Sequence, residues 1–313
     1  NRLSIRKFVL GFLLVTHAHY LLVIPSHTAN NVAPIYTGTV SQNSPRIAIL
    51  GAGNMGGAIL SGLRQSPGAS SGIRVTTATA SSASHLVGAG VEARSHEEDP
   101  GANEWAVQDA DIVIVGVKPH YLLEVIREVS SAAPESAVMV SIAAGITIAQ
   151  IEDAWPGAVI RTMPNTPSQV GKGVTGMSAG ARATSDQVAM VARVFDTVGS
   201  VLQVDEGSIN ALSTFSGSGP AFVYFFIERF IEVAQDHGFS AEEASTMVQG
   251  TCAGAMELLE ASGKTPQELR ESVTSPGGTT QAALEVYAEA DLSAIIRRAS
   301  AAAIARAEEM AQG

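Results

Sequence analysis

The sequence contains few residues of the kinds that form disulfides, metal clusters or basic surfaces. Its one cysteine, Cys252, cannot form an intramolecular disulfide or a zinc cluster, and the small residues around it predict a buried position on a helix. The formal net charge is −11, and only 16% of the residues are charged. An acidic protein is a poor partner for nucleic acid or an anionic membrane surface. We therefore expect no metal, no nucleic acid and, for the mature body of the protein, no membrane.

Acidic residues are absent from the N-terminal part of the chain before Glu92, and residues 1–44 also differ from the rest in composition. Three basic residues precede the apolar run 8–15, and residues 25–44 are rich in hydroxyl and amide side chains. This pattern is typical of a targeting presequence, and the apolar run is too short for a membrane span. We predict that residues 1–44 form a targeting or disordered extension, for a plastid or another organelle. A cloning or gene-model artefact is the alternative.

Aromatic residues are scarce at 5%, whereas 46% of the residues are hydrophobic, which predicts an extensive core. Up to about residue 205, short apolar runs alternate with helical patterns, as in βαβ units with a parallel sheet. After residue 208 only helical patterns remain, and glycines separate them. We expect an α/β domain at 45–205 and an all-helical domain at 206–313. The predicted strands are 46–50, 73–79, 111–117, 137–142 and 158–163, and the predicted C-terminal helices are 221–237, 241–261, 266–271, 280–288 and 292–311.

A glycine-rich loop follows the first predicted strand directly and opens a predicted helix. Residues 51–56 match the G-x-G-x-x-G pattern of dinucleotide-binding proteins. In that pattern one glycine makes a tight turn, the next lets the backbone approach the pyrophosphate, and the third lets the helix pack on the strand. An ordinary glycine-rich turn is the alternative. The predicted cofactor contacts in the loop are Gly51, Gly53, Asn54, Met55 and Gly56.

The end of the second predicted strand bears on the choice between NADP and NAD. An NAD site usually ends this strand with Asp or Glu, which binds the ribose 2′-hydroxyl. Residues 77–82 contain no acid, and the hydroxyls of Thr79, Ser81 and Ser82 are suited to a 2′-phosphate, although no arginine accompanies them. We predict NADPH as the cofactor, with NADH as the alternative, and Ser81 as a cofactor contact.

Four further strings resemble one family. They are Val-Lys-Pro at 117–119, Ser-Ile-Ala-Ala-Gly at 141–145, Arg-Thr-Met-Pro-Asn-Thr-Pro at 161–167 and Ser-Pro-Gly-Gly-Thr-Thr at 275–280. With the glycine loop, they resemble the pyrroline-5-carboxylate reductase family over residues 46–310. The resemblance implies an α/β Rossmann-type dinucleotide-binding domain followed by an all-α dimerisation domain, in a cytoplasmic homodimer or higher homo-oligomer. It also implies NAD(P)H-dependent reduction of Δ1-pyrroline-5-carboxylate to L-proline, the last step of proline biosynthesis.

The resemblance also implies roles for single residues. Those expected along the nicotinamide half of the cofactor are Val117, Lys118, Pro119, Ala143, Ala144 and Asn165. All of them follow predicted strands, where ligands bind in open α/β sheets. Those expected around the substrate carboxylate are Ser275, Gly277, Gly278, Thr279 and Thr280, with Thr280 near the imine nitrogen as the catalytic hydrogen-bonding residue. The alternatives are a solvated Lys118, a turn-capping Asn165 and an ordinary capped helix start at 275–280.

Two other functions are compatible with a dinucleotide-binding domain. A hydroxyacid dehydrogenase of related design has a catalytic lysine on the long helix after that domain. The predicted helix at 221–237 contains none, because no lysine lies between Lys172 and Lys264. A non-catalytic redox sensor is the second alternative, but a sensor has no need for a carboxylate-binding loop at 275–280.

Overall fold

The computed structural model describes residues 44–66, 68–88 and 90–312. The extension predicted at 1–44 therefore lies outside the described residues, except for Ser44. None of the described helices is long and apolar enough to cross a membrane.

One eight-stranded sheet forms the N-terminal half, with the strand order β3-β2-β1-β4-β5-β6-β7-β8. All neighbouring strands are parallel except β6 and β7, which pair antiparallel. The first six strands thus have the 3-2-1-4-5-6 order of a Rossmann fold. The strands are β1 (Arg46–Leu50), β2 (Gly72–Thr77), β3 (Val91–Ser95), β4 (Ile112–Val115), β5 (Val138–Ser141), β6 (Val159–Met163), β7 (Gly173–Ala179) and β8 (Gly199–Gln203).

Helices cover both faces of this sheet, so its central strands are buried on both sides. Every residue of β4 and β5 is buried, which explains why these strands are continuous apolar runs. On one face, Leu122, Ile126 and Trp155 pack into the core cluster. Full burial of one such aliphatic side chain contributes about 1.5–3 kcal/mol. The helices are α1 (Asn54–Gln65), α2 (Ala80–Ser84), α3 (Ala102–Val107), α4 (Pro119–Val129), α5 (Ile148–Glu152) and α6 (Ser185–Asp196).

The C-terminal half is helical throughout its described residues. Helix α7 (Ile209–Leu212) runs into a π-helical turn (Ser213–Gly217) and then into α8 (Gly219–Asp236). Helices α8 and α9 pack against each other, and α12 contacts α7 and the π-helical turn. The five predicted helices coincide with α8 to α12, and only the first, predicted at 221–237, ends one residue beyond its helix. The remaining bounds are α9 (Ala241–Ser262), α10 (Pro266–Ser272), α11 (Thr279–Glu289) and α12 (Leu292–Gln312).

Helix α8 exposes an apolar surface in the single chain, and none of its residues is buried. We call this surface the α8 face. Large exposed apolar areas mark interfaces, because water is a poor solvent for them. Its exposed apolar side chains are Phe222, Val223, Tyr224, Phe225, Phe226, Phe230 and Val233.

Candidate active site

The glycine loop has the geometry that a bound pyrophosphate requires. Gly51 has a φ of +82°, and a Cβ there would lie 2.8 Å from Cγ1 of Val117. A Cβ on Gly56 would lie 3.1 Å from the Gly51 carbonyl oxygen and 3.2 Å from Cγ2 of Ile49. A Cβ on Gly53 would meet nothing within 4 Å, so the space in front of this exposed residue is open. The three glycines thus match the turn, the ligand approach and the helix–strand packing of a dinucleotide site.

The start of α1 offers free donors at the same place. Gly51 and Ala52 both donate their N–H groups to the Thr76 carbonyl, at 3.1 and 2.9 Å, which fixes the loop beside the end of β2. No described side chain caps α1, whose N-cap is Gly53. The first N–H groups of a helix have no partner within it, and here they are left available to a phosphate. The residues present therefore fit the pyrophosphate of a dinucleotide.

The Val-Lys-Pro string lies where β4 ends, directly beside the glycine loop. Gly116 donates its N–H to the Leu50 carbonyl at 2.8 Å, so the ends of β1 and β4 adjoin. Lys118 is exposed at the N-cap of α4 and Pro119 is its first residue. Val117 is half-buried against Gly51. All three residues thus lie where β4 ends, and Val117 lies against the glycine loop.

The next strand end contributes the two predicted alanines. Ala143 is buried, and its N–H donates to Oγ of Ser141 at 3.2 Å. Ala144 is exposed at the tip of the same loop. Thr162 on β6 donates its hydroxyl to the Ser141 carbonyl at 2.9 Å. These bonds hold the backbone in place where β5 ends, next to the exposed Ala144.

Asn165 lies where β6 ends, but its amide is already engaged. The side chain is 7% exposed. Its Nδ2 donates to the Ser216 carbonyl at 2.9 Å, and its Oδ1 accepts from the Val174 N–H at 2.8 Å. Asn165 thus ties the end of β6 to the π-helical turn. The sequence does not reveal that this turn contacts Asn165. The Gly-Ser-Gly-Pro string at 217–220 indicates only that the chain turns there. Such π-helical turns occur frequently at functional sites.

A buried ion pair joins the two halves of the chain near the same edge. Arg161 is 5% exposed, and its guanidinium lies 3.0 Å from Oε1 of Glu206. The same oxygen accepts the N–H of Ile148, the first residue of α5, at 2.7 Å. Sequence analysis does not reveal this pair, because Arg161 and Glu206 are 45 residues apart and the string at 161–167 to which Arg161 belongs says nothing of a partner in the helical half.

The Ser-Pro-Gly-Gly-Thr-Thr string forms a tight turn before α11. Gly277 has a φ of +70°, and its N–H donates to Oε1 of Gln281 at 2.8 Å. Gly278 donates to the Ser275 carbonyl at 3.0 Å. No described side chain caps α11, so the N–H groups of Thr279 and Thr280 have no acceptor among the described residues. The N–H groups of Gly277 and Gly278 are thus engaged within the turn, whereas those of Thr279 and Thr280 remain available to a ligand.

This turn and the glycine loop belong to different parts of the single chain. Among the described elements, neither α10 nor α11 makes extensive contact with the strands and helices of the α/β half. Ser275 is exposed and Thr280 is half-buried. No group of histidine, cysteine, aspartate and glutamate side chains in the described part of the chain could hold a metal ion.

An acidic side chain lies at the end of β2, contrary to the expectation from sequence. Oε2 of Glu97 accepts the N–H of Ala80 at 2.8 Å. The acid comes from the segment after β3, a strand that the sequence pattern does not predict. The absence of acidic residues from 77–82 therefore does not mean that the end of β2 is free of acidic side chains.

The strand order, the glycine loop and the uncapped helix α1 define a Rossmann-type dinucleotide-binding protein. Residues 206–310 match the family described as pyrroline-5-carboxylate reductase dimerisation, and residues 46–145 match that described as NADP oxidoreductase coenzyme F420-dependent. The chain is 35% identical to pyrroline-5-carboxylate reductase of Pseudomonas aeruginosa, over 87% of this chain and 98% of that one. It is 33% identical to the Arabidopsis thaliana enzyme of the same name, over 87% and 98%. The chain belongs to the pyrroline-5-carboxylate reductase family.

A solved structure agrees with this assignment. The pyrroline-5-carboxylate reductase of Coxiella burnetii is 32% identical, with a TM-score of 0.80 over 86% of this chain and 99% of that one. The fold class and the family resemblance expected from the sequence are therefore confirmed.

Proposed function

We propose that the chain is a pyrroline-5-carboxylate reductase, which reduces Δ1-pyrroline-5-carboxylate to L-proline with NADPH, or alternatively with NADH. The observation that carries the proposal is the pair of uncapped helix starts, one in each family motif. Gly53 is the N-cap of helix α1, and the space in front of it is open. Helix α11 begins with the N–H groups of Thr279 and Thr280, which have no acceptor among the described residues. One helix start suits a pyrophosphate and the other suits an amino-acid carboxylate.

The cofactor half of the site is assigned to the edge of the sheet. Its contacts are the loop residues Gly51, Gly53, Asn54, Met55 and Gly56, together with Ser81, Val117, Lys118, Pro119, Ala143, Ala144 and Asn165. The NADP oxidoreductase family matched by residues 46–145 supports NADPH. When bound, the reduced nicotinamide supplies the hydride that saturates the carbon–nitrogen double bond.

The substrate half of the site is assigned to the turn before α11. The N–H groups of Thr279 and Thr280 hold the carboxylate, with Ser275, Gly277 and Gly278 shaping the turn. The Thr280 hydroxyl, which has no partner among the described residues, hydrogen-bonds the ring nitrogen. A protonated imine is already electrophilic, so the protein mainly aligns the reactants and excludes water. No catalytic lysine or histidine is therefore required.

We assign the complete site to two subunits. In the single chain, the turn before α11 makes no extensive contact with the described α/β half. The α8 face is exposed there, and residues 206–310 match a dimerisation family. Association through this face brings the turn of one subunit to the sheet edge of its partner. A homodimer, or a larger homo-oligomer built from it, is then the active form.

One assay tests the proposed reaction. Purified protein is mixed with Δ1-pyrroline-5-carboxylate and NADPH or NADH, and the absorbance of the reduced nicotinamide is followed. Loss of this absorbance together with formation of L-proline is the expected result. Oxidation of a 3-hydroxy acid with NADP⁺ would favour the hydroxyacid dehydrogenase instead, although α8 contains no lysine. Binding of dinucleotides without turnover of either substrate would favour a redox sensor.

The compartment depends on residues 1–44. Their basic start and hydroxyl-rich tail support import into an organelle such as a plastid, whereas the family resemblance alone implies the cytoplasm. Fusion of residues 1–44 to a fluorescent protein, followed by imaging in plant cells, distinguishes the two locations.

A further inference from the structure

Glu97 belongs to the segment after β3, but its carboxylate lies at the end of β2. Backbone pairing continues beyond β3, since His96 donates to the Thr77 carbonyl at 2.9 Å and Glu97 donates to the Ala78 carbonyl at 3.2 Å. These two bonds fix the backbone of Glu97 along β2. Its side chain then turns so that Oε2 accepts the Ala80 N–H at 2.8 Å. The position of the carboxylate is thus set by the sheet and by one further hydrogen bond.

The end of β2 is the place where Rossmann sites read the ribose of the cofactor. In NAD-binding proteins an acid there hydrogen-bonds the 2′-hydroxyl, and in NADP-binding proteins a basic residue accommodates the 2′-phosphate. The glycine loop is bonded to Thr76 of the same strand, so the end of β2 adjoins the cofactor site. The residues that follow the strand, from Ala78 to Ser82, include no acid. Glu97 supplies from β3 the acid that β2 lacks.

Among the residues that the structure describes, no cationic side chain pairs with the Glu97 carboxylate. Glu97 is exposed and belongs to none of the ion pairs among the described residues. Arg94, on the same strand, is engaged elsewhere, because its guanidinium lies 2.7 Å from Oδ2 of Asp99 and 4.1 Å from the centre of the Trp105 ring. The hydrogen bond from Arg94 holds the pKa of Asp99 below its usual value. Arg94 is therefore committed to Asp99 and Trp105.

The hydroxyl groups beside Glu97 are also partly engaged. Thr79 donates its hydroxyl to Oγ of Ser82 at 2.9 Å and accepts the Ser82 N–H at 3.3 Å. Two of the three hydroxyls expected to receive a 2′-phosphate are thus bonded to each other. A 2′-phosphate bound here would have to replace the hydrogen bonds between Thr79 and Ser82. It would also lie next to a carboxylate of the same charge, and this repulsion costs free energy.

We propose that Glu97 determines cofactor selectivity, by accepting a hydrogen bond from the ribose 2′-hydroxyl of NADH and repelling the 2′-phosphate of NADPH. This inference rests on the proposed function only in taking the site to be one for NAD(P)H. The substrate plays no part in it. Through Glu97, a chain whose second strand carries no acid would accept NADH as well as NADPH.

Direct binding of the two nucleotides tests this role. Dissociation constants of NADPH and NADH are measured by isothermal titration calorimetry for the wild-type protein, Glu97→Gln and Glu98→Gln. Glutamine at 97 keeps an oxygen that accepts the Ala80 N–H and removes only the charge. Glu98→Gln is the matched control, because this neighbouring exposed acid accepts instead from the Ser95 hydroxyl at 3.2 Å.

We expect Glu97→Gln to raise the ratio of NADPH affinity to NADH affinity at least tenfold, or about 1.4 kcal/mol, and Glu98→Gln to change it less than twofold. An unchanged ratio in Glu97→Gln, or an equal change in the control, would overturn the inference. If the wild-type protein binds both nucleotides but does not reduce pyrroline-5-carboxylate, the proposed substrate is wrong while the ratio still tests Glu97. If it binds neither nucleotide, both proposals fail.

Discussion

Thr280 is the second residue of α11, and its hydroxyl has no hydrogen-bond partner among the described residues. In the proposed site this hydroxyl bonds the ring nitrogen of the substrate. Loss of one hydrogen bond to a charged group costs about 1.5–3 kcal/mol. We therefore expect Thr280→Ala to lower kcat/KM for pyrroline-5-carboxylate by roughly tenfold or more, in a steady-state assay at saturating NADPH.

Thr280→Ser is the matched control, because it keeps the hydroxyl group. It should retain most of the activity, and both variants should bind NADPH with the wild-type dissociation constant. Equal activity of Thr280→Ala and the wild-type protein would remove Thr280 from the mechanism.

Glu206 neutralises Arg161, whose side chain is only 6% exposed. Breaking a buried ion pair by removing one partner is strongly destabilising, because the other charge stays in the interior. Glu206 itself is partly exposed, so we expect Glu206→Ala to lower the free energy of unfolding by ~2–3 kcal/mol, measured by urea denaturation.

Asp109 provides the comparison for this prediction. It pairs with Arg46 at 3.7 Å and with Arg74 at 3.5 Å, and its own side chain is 54% exposed. Asp109→Ala should cost at most ~1 kcal/mol. Similar losses of unfolding free energy in the two variants would show that the burial of Arg161 does not increase the contribution of its ion pair to stability.

At the scale of the element, α9 begins with a capping box. Ser240 and Glu243 satisfy each other's backbone N–H groups, and the two hydrogen bonds from Ser240 hold the pKa of Glu243 below its usual value of 4.5. A carboxyl whose pKa is lower in the folded state stabilises that state above its unfolded pKa. This contribution is lost as the pH falls through the folded pKa.

We therefore expect Glu243→Gln to be less stable than the wild-type protein near neutral pH, with the difference shrinking below about pH 4.5. Thermal melting between about pH 7 and pH 3 measures this difference. Glu242→Gln is the control, since it removes a neighbouring charge in the same turn without touching the capping box. A difference in stability that stays constant with pH would contradict the assignment.

The strands that follow from the sequence are those rich in aliphatic and β-branched residues. β1, β4 and β5 are mostly apolar, β2 and β6 are rich in isoleucine, valine and threonine, and the predicted segments fall on these five strands. β3 (Val-Glu-Ala-Arg-Ser) alternates because only one of its faces is buried. β7 has two glycines, a threonine, a serine and an alanine among its seven residues, and β8 is largely exposed. None of these three is a run of aliphatic or β-branched residues, so the local pattern alone does not reveal them.

The residues of the candidate site likewise fall into those that the sequence reveals and those that it does not. The glycine loop is evident from sequence because its residues are adjacent in the chain and its geometry depends on glycine. Glu97 is not evident, because it reaches the end of β2 only through the unpredicted strand β3. Arg161 with Glu206, and Asn165 with Ser216, likewise meet only in the folded chain. Contacts between distant segments depend on topology, which the local pattern does not contain.

At the scale of the whole molecule, the α8 face should hold the oligomer together. Phe225 is 63% exposed in the single chain. A charge placed in an apolar interface is costly to desolvate, so we expect Phe225→Glu to yield monomers without reductase activity. Light scattering and the absorbance assay check the two outcomes. Val87→Glu, which alters an equally exposed side chain of the α/β half, should remain an active oligomer.

A mixing experiment tests whether each site uses two subunits. Gly53→Glu fills the open space in front of the glycine loop, and Thr280→Ala disables the substrate half. If each site takes its cofactor half from one chain and its substrate half from the other, a mixed dimer has one intact site. Refolding an equal mixture should restore about a quarter of the wild-type activity. A mixture as inactive as its components would place both halves within one chain.

The contacts of Glu206 and Ser216 have a practical consequence for dividing the chain. A fragment that ends after residue 205, at the domain boundary predicted from sequence, would lack Glu206, the counter-ion of Arg161. It would also lack Ser216, whose carbonyl accepts the hydrogen bond of Asn165. Both side chains would remain in the interior with unmet bonding capacity. A fragment extended through Ser218 keeps both partners and most of the first helical turns. Residues 206–218 therefore complete the structure of the nucleotide-binding half, and a truncated fragment of that half should end after Ser218 and not after residue 205.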